Sequence, residues 1–598
     1  MNHLLAAAAA GFALLVLAGA ARADEHRYWP LQKTPKGVVQ TSFELFQAVP
    51  AVDGQTVPVA LGQEHMLAQS IAGLAAQAVN EGRSDELVWI DLDNASYKLW
   101  YDATKRRIGF EERGTFTPWE LLERYRDKGI YQGYVLYAYD ASEGGPTRAR
   151  DNMDESVNVA TSLAGALGGV LISSELEPKA EAMGLKLLVD VRDKTETWCF
   201  ERYRDRFNRR FMLAQDPKMP NHRAIAIAHR MFVGYGMDSP TPEAYAWLEP
   251  LSSILGWNGG DEGGFVSQLS EYGHVLLPSN WCLNVTVTSA GAGDFAWPKP
   301  IKTVDPASID WHYKGSAASF VMSDGDNVQW FMGDFCLSKD YWASSAHGAF
   351  PVGWGTPFAC LDQACPATCT YLVDTQPPET TLNLHAGGYY YPDLLGSKLE
   401  PEKRHEILVK HARRLNHYMN RSGGTTLMFL CMDMESAAAK EAYAVYAHEI
   451  ERLVGMFVIQ YYPYEGGDGK VYWVKNGKGV DIPVVTAKYA LWANLKHERA
   501  GTPAKIARLI NEASQGKEPL FSWTIVHTWS GFTQIDDNDE QAENAQFRAP
   551  ATEAAVIPTQ WCVDRLGPHV RAVSPEELLW RIRMQHDPEE TQACIAHR

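Results

Sequence analysis

From residue 320 to residue 573 the chain repeats one arrangement, a short apolar run followed by a helical pattern, and nothing else in it limits the fold as strongly. Eight strand candidates can be read there, at 320–323, 349–353, 382–386, 426–431, 456–460, 482–486, 520–526 and 569–573. The clearest helix between them places Leu408, Ala412, Leu415 and Met419 on one face by a spacing of four, three and four. Another starts after Ser574 with Glu577 three residues on, the pattern of a capping box. Strands that alternate with helices favour a parallel sheet, and eight of them over roughly 280 residues match the size of a (β/α)8 TIM barrel. The expectation is therefore an α/β protein with small N-terminal α/β subdomains followed by a C-terminal TIM-barrel-like domain.

The first barrel strand ends in charge. The run Phe320-Val321-Met322-Ser323 is followed by Asp324-Gly325-Asp326-Asn327-Val328-Gln329-Trp330. Alternate residues of a strand share a face, so Phe320, Met322 and Asp324 point one way, with Asp326 joining them if the extended form continues through Gly325. The carboxyl ends of parallel strands are where ligands bind in barrels and open α/β sheets. The competing reading is a turn that caps a helix through Trp330, for which Asp, Asn and Gly are well suited.

Before the barrel the same alternation is looser. Helical spacing at 66–78 precedes a strand at 87–90, a second unit holds strands at 133–137, 169–173 and 185–189, and a third holds strands at 254–257 and 275–277. Boundaries follow as a 1–23 leader, subdomains at 24–110, 111–205 and 206–296, a Pro- and Lys-bearing linker at 297–310, and a catalytic candidate at 311–598. The leader has an apolar stretch ending in Ala21-Arg22-Ala23, which reads as a secretory signal and implies an exported, periplasmic or extracellular protein. No later stretch is long and apolar enough for a membrane span. The Gly259-Gly260-Asp261-Glu262-Gly263-Gly264 segment reads as a turn, without the glycine order or lysine of a phosphate cradle.

A net charge of -18 with no basic run disfavours nucleic acid as a partner. The 19 Trp and 26 Tyr are enough to supply stacking faces as well as core. Nine cysteines in an exported chain suggest pairing, with one disulfide expected among Cys360, Cys365 and Cys369, and Cys562 and Cys594 able to tie down the last helix. Zinc is the sharper alternative for the first group, but it lacks a fourth local ligand. Cys431 lies in an apolar run and reads as buried.

The segment Ala386-Gly387-Gly388-Tyr389-Tyr390-Tyr391-Pro392 resembles the GxGYxYP signature of a family of secreted bacterial proteins described as glycoside hydrolases, with Ala386 in place of the first glycine. The Asp324-Gly325-Asp326-Asn327-x-Gln329 run, Val352-Gly353-Trp354, the 462–465 segment, Gly469-Lys470-Val471-Tyr472-Trp473 and Val573-Ser574-Pro575-Glu576 add to the likeness. The 359–380 segment, with its three cysteines, departs from the family pattern. The resemblance implies small N-terminal subdomains, a barrel-like catalytic unit and a carbohydrate substrate; it supplies no characterised reaction.

Glycoside hydrolysis needs two carboxyl groups, about 5 to 5.5 Å apart for retention and about 6.5 to 9.5 Å for inversion. Asp324 and Asp326 share one strand end, so a partner from another strand is expected. Glu435 after the fourth strand and Glu465 after the fifth are the candidates, although acidic residues at a helix start also suit its dipole. Substrate contacts are expected from Asn327, Gln329, Trp354, Gly388, Tyr389, Tyr391, His527 and Trp529. No cofactor or metal is implied, and no G-x-S-x-G elbow supports a serine hydrolase. Two other classes stay open: a noncatalytic carbohydrate-binding protein, and a calcium site at Asp324, Asp326 and Asn327.

Overall fold

The computed structural model describes residues 26–43, 45–50, 56–60, 62–139, 154–495, 497–533, 545–547 and 552–597. The expected leader at 1–23 lies outside them. Among the described residues no helix is long and apolar enough to cross a membrane.

Three small parallel sheets come first. Gly37–Thr41 lies between Glu86–Ile90 and Glu111–Phe116, and Gly133–Tyr137 lies between Gly169–Ser173 and Leu187–Asp190. The third sheet runs Val233–Gly234, Phe211–Ala214, β1 (Ser253–Gly256), β2 (Val275–Pro278), all parallel. Helix α1 (Glu262–Glu271) joins β1 to β2 and starts where Asp261 accepts a hydrogen bond from the Gly264 N–H at 2.9 Å.

The C-terminal half is built on one large curled sheet. Its strands are β3 (Ser316–Met322), β4 (Val352–Thr356), β5 (Thr380–His385), β6 (Thr426–Cys431), β7 (Gly455–Gln460), β8 (Asp481–Thr486), β9 (Tyr489–Leu491), β10 (Phe521–Val526) and β11 (Val570–Ala572). From β3 to β8 each strand pairs in parallel with the next, and β10 pairs with β3 from the other side. All seven residues of β3 are buried, as expected of a strand covered on both faces. Only Ala487 and Lys488 separate β8 from β9, yet β8 pairs with β7 and β9 with β10. This run hands over from one limb of the sheet to the other, which is why the sheet curls; the Phe457 and Trp523 rings, from β7 and β10, meet inside it at 5.3 Å.

All eight strand candidates fall on or overlap observed strands, but they do not make a (β/α)8 barrel. The eighth, β11, bonds only to the start of β3 at Ser316 to Ala318, on the side away from β10, instead of entering between β10 and β3. An added antiparallel strand, Val471–Lys475, flanks β8. The result is a curled, half-barrel-like sheet.

Helices α2 (Val328–Met332), α3 (Phe358–Ala364), α4 (Pro366–Thr375), α5 (Pro401–Ser422), α6 (Ala437–Glu449), α7 (Pro503–Ala513) and α8 (Pro575–His586) pack around it. The predicted stripe of α5 is buried at Leu408, Ala412, Leu415 and Met419, and Gly423, in the left-handed region at φ 81°, closes the helix onto the Met419 carbonyl. Each fully buried side chain of leucine or methionine size contributes about 1.5–3 kcal/mol. At α8 the Ser574 hydroxyl accepts from the Glu577 N–H at 3.2 Å, while the Glu577 carboxylate turns to Arg581 at 2.6 Å.

The cysteine expectation is overturned. The 359–380 segment is largely two packed helices, and Cys360, Cys365 and Cys369 sit reduced and buried among them. Cys594 forms no bridge to Cys562; its sulfur receives the Arg583 guanidinium at 3.3 Å. Cys431 is buried, as its apolar run suggested.

Candidate active site

A cavity of about 320 Å³ opens over the carboxyl ends of the large sheet. Ser323, Asp324, Asp326 and Asn327 follow β3, His385 ends β5, Met428 and Leu430 come from β6, Ile459 from β7 and Ile525 from β10. Tyr389, Tyr464, Trp492, His527 and Trp529 extend the wall from the loops beyond the strands. The remaining two lining residues, Trp257 and Glu262, belong to the third small sheet, at the end of β1 and the first turn of α1. The site is thus assembled by two parts of the chain, each offering the carboxyl ends of parallel strands.

Asp324 lies just past the strand, in the left-handed region at φ 60°. An aspartate tolerates that conformation better than most residues, and such strain concentrates at functional positions. Its Oδ1 accepts the Trp529 indole N–H at 2.7 Å, and its Oδ2 accepts the Thr528 hydroxyl at 3.1 Å and the neighbouring Ser323 hydroxyl. The extended form therefore does not continue to Asp326. The chain turns instead, and Gly325 lies so close to the Gly355 backbone that a Cβ would sit 2.3 Å from its carbonyl carbon. Asn327 then caps α2 through the Trp330 N–H at 3.3 Å, so the capping reading and the site reading both describe this loop.

Glu262 and Asp326 are carboxyl groups of another kind. Glu262 as a whole residue is exposed at the first turn of α1, but desolvation of its carboxyl end in the cavity pushes it up, the Tyr389 hydroxyl, donating at 2.5 Å, pulls it back, and the negative charges of Asp324 and Asp261 push it further up. Asp326, 9% exposed, is held well above the usual carboxylate range by burial and then by Asp324 and Glu262. The His385 Nε2 lies 3.8 Å from it, and burial lowers that imidazole to about 4, so it faces Asp326 neutral at ordinary pH. Pairs of carboxyl groups whose surroundings differ in this way are how one site holds both a proton donor and a proton acceptor.

Much of the rest of the lining is aromatic. Tyr464 stacks on Trp492 at 4.3 Å and Trp492 on His527 at 3.8 Å, with interplanar angles of 12° and 3°. Trp529 packs against Trp330 at 4.7 Å, and Trp257 faces Tyr389 at 6.4 Å.

Residues 316–541 match the model of the "GxGYxYP putative glycoside hydrolase C-terminal domain", residues 131–207 the GxGYxYP_N second domain, and residues 209–290 the GxGYxYP third domain, together well over half of the chain. The chain belongs to the GxGYxYP family. A crystal structure of a protein described as a putative hydrolase from Bacteroides thetaiotaomicron shares its fold, at 21% identity and a TM-score of 0.69, with 92% of this chain and 95% of that one covered. No curated protein matches.

The GxGYxYP signature is a clamp between the two parts of the site. The Tyr389 N–H donates to the Leu276 carbonyl at 2.8 Å and receives the Leu276 N–H on its own carbonyl at 3.0 Å, an isolated bridge to β2. Gly388, at φ 139°, permits this approach, because a Cβ there would lie 2.4 Å from Val275 Cγ1 and 2.9 Å from the Leu276 oxygen. The Tyr391 N–H donates to Ser270 Oγ of α1 at 3.1 Å, its hydroxyl meets that of Tyr389 at 3.3 Å, and Tyr390 pairs with Tyr446 at 2.7 Å. The tyrosines thus place α1, and with it Glu262, over the large sheet.

Of the residues singled out from the sequence, Asp324, Asp326, Asn327, Tyr389, His527 and Trp529 come together in the cavity. Glu435 does not; it is half exposed at the start of α6 and ion-paired with Lys470. Glu465 is buried in the loop after β7, 3.5 Å from His497 Nδ1, and is not part of the lining. Gln329 accepts the Trp281 N–H at 2.7 Å, and Trp354 is fully buried, packed edge-on to Phe335 at 5.0 Å. Gly388 and Tyr391 support Tyr389 from behind. Glu262, Trp257, His385, Tyr464 and Trp492 were missed. Applying the strand-end rule to the Ser253–Gly256 strand would have led straight to the acidic pair in its glycine-rich loop.

Hydrogen-bond donors occupy both oxygens of Asp324, and among the described residues no group of three or more His, Cys, Asp or Glu is placed to hold a metal.

Proposed function

We propose that the protein is a glycoside hydrolase in which Glu262 is the proton donor to the leaving oxygen and Asp324 the carboxylate that attacks the anomeric carbon or activates water. The observation that carries this reading is the meeting, in one aromatic-walled cavity, of the Glu262 carboxyl, raised by desolvation and by the neighbouring Asp324 charge, and an Asp324 carboxyl held by three donors. Tyr389 orients the acid. The Tyr464–Trp492–His527 stack offers an apolar platform for a sugar face, while Asn327 and Ser323 offer hydrogen bonds. The family name and the fold neighbour's description support hydrolysis at the level of reaction class.

The test is turnover of an oligosaccharide and aryl-glycoside panel by the wild type, Glu262→Gln and Asp324→Asn. Removal of a general acid costs about 10²–10⁴-fold on natural glycosides. Glu262→Gln is expected to recover much of its activity on aryl glycosides whose leaving group needs no proton, whereas Asp324→Asn stays slow on both. Equal activity of Glu262→Gln and the wild type on natural glycosides would remove Glu262 from the mechanism.

A further inference from the structure

The proposed reaction uses two carboxyl groups, and the cavity holds a third. Asp326 is nine-tenths buried and lines the cavity, but its nearest ionisable neighbour of opposite kind is a neutral imidazole beyond hydrogen-bond distance. None of the residues lining the cavity is Lys or Arg. A buried carboxyl without a cation is costly in its charged form, so the shift of Asp326 favours its protonated state, and a cation brought against it is what would favour the ionised one. A neutral sugar brings no such cation, and a uronate would add a fourth acid.

Resting on the hydrolase reading of this cavity, we propose that its sugar subsite takes a residue bearing an ammonium group, a 2-amino-2-deoxy sugar, and that Asp326 selects it. Asp324 is assigned to the anomeric carbon. Asp326, two positions along the same turn and lining the same cavity, is the carboxyl we assign to the amino group on the neighbouring C2. The charged groups facing Asp326 are Asp324 on its own loop and Glu262 on α1, both acidic, with His385 of β5, Tyr389 and the Cys360 thiol around them. An ammonium there would complete an ion pair, and Asp326 would release its proton to the buffer on binding.

Calorimetry on the full chain with methyl glycosides of the amino, N-acetylamino, neutral and uronic forms, in the gluco and galacto series, tests this without requiring turnover. In at least one series the amino glycoside is expected to bind roughly ten- to hundredfold more tightly than its neutral match, the usual worth of a charge-assisted hydrogen bond, with the uronate weakest. The binding heat should vary with the ionisation heat of the buffer, and Asp326→Asn should abolish both the preference and the proton release. Equal affinity for amino and neutral forms in both series, tightest binding by the uronate, no measurable binding of any amino glycoside, or a preference that survives Asp326→Asn would each overturn the proposal. Amino selectivity without any hydrolysis would defeat the hydrolase reading and leave this one standing; hydrolysis of neutral glycosides without amino selectivity would do the reverse.

Discussion

The Tyr389 hydroxyl decides how firmly Glu262 holds its proton. A hydrogen bond donated to a carboxylate stabilises the charged form, so this contact lowers a pKa that burial and the Asp324 charge raise. In Tyr389→Phe the lowering contact is gone and Glu262 keeps its proton to higher pH. The alkaline limb of kcat/KM, set by loss of that proton, should therefore move to higher pH, while kcat falls about tenfold for the loss of one such hydrogen bond. A limb that moved to lower pH would show that another group is the acid. Half of this pair was legible in the sequence. Asp324 announces itself, because a charged residue directly after a buried apolar strand sits where parallel sheets bind their ligands. Glu262 looks like one acid among glycines at a helix start, and its distance along the chain from Asp324 hides that the two share a cavity.

At the scale of elements, the turn at 386–392 ties the third sheet to the large one through the Leu276 bridge and the Ser270 contact. Ala386 occupies the left-handed region at φ 43°, the position at which the family signature has glycine. A side chain there costs about 1–2 kcal/mol, partly offset by the entropy that glycine loses on folding. Ala386→Gly is accordingly expected to stabilise the protein by up to about 1 kcal/mol in denaturant unfolding. Gly388→Ala should do the opposite by about 3 kcal/mol, since its Cβ would press on Val275 and the Leu276 carbonyl and strain a positive φ. Because the Leu276 bridge positions Tyr389, activity should fall more than the lost stability alone accounts for; unchanged kcat in folded Gly388→Ala would argue against the clamp. The strands themselves were legible because alternation and apolar runs are local signals. Which strand pairs with which is not local, so the run through Ala487 and Lys488 that bends the sheet, and the displacement of β11 from barrel order, left no mark in the pattern.

At the scale of the molecule, the sheet that supplies Glu262 is braced from behind by a buried polar network. Asn158 donates to Glu196 Oε1 at 2.7 Å and to the Gln215 carbonyl at 2.9 Å, and accepts from the buried Arg223 at 2.8 Å. The Tyr235 N–H, at the end of Val233–Gly234, donates to Glu196 Oε2 at 2.9 Å. Glu196 is 5% exposed, and burial raises its carboxyl from 4.5 to about 7 against the pull of Asn158 and Tyr235. A carboxyl that binds its proton more tightly when folded stabilises the fold fully below pH 4.5. It loses that contribution as pH rises to about 7, a change on the order of 3 kcal/mol. Denaturant unfolding of the wild type measured from pH 4.5 to 7.5 should thus contain a falling component that is absent from Glu196→Gln, whatever the variant's absolute stability. Parallel pH curves for the two proteins would mean that Glu196 is ionised in the folded state, and that Arg223 neutralises it through Asn158.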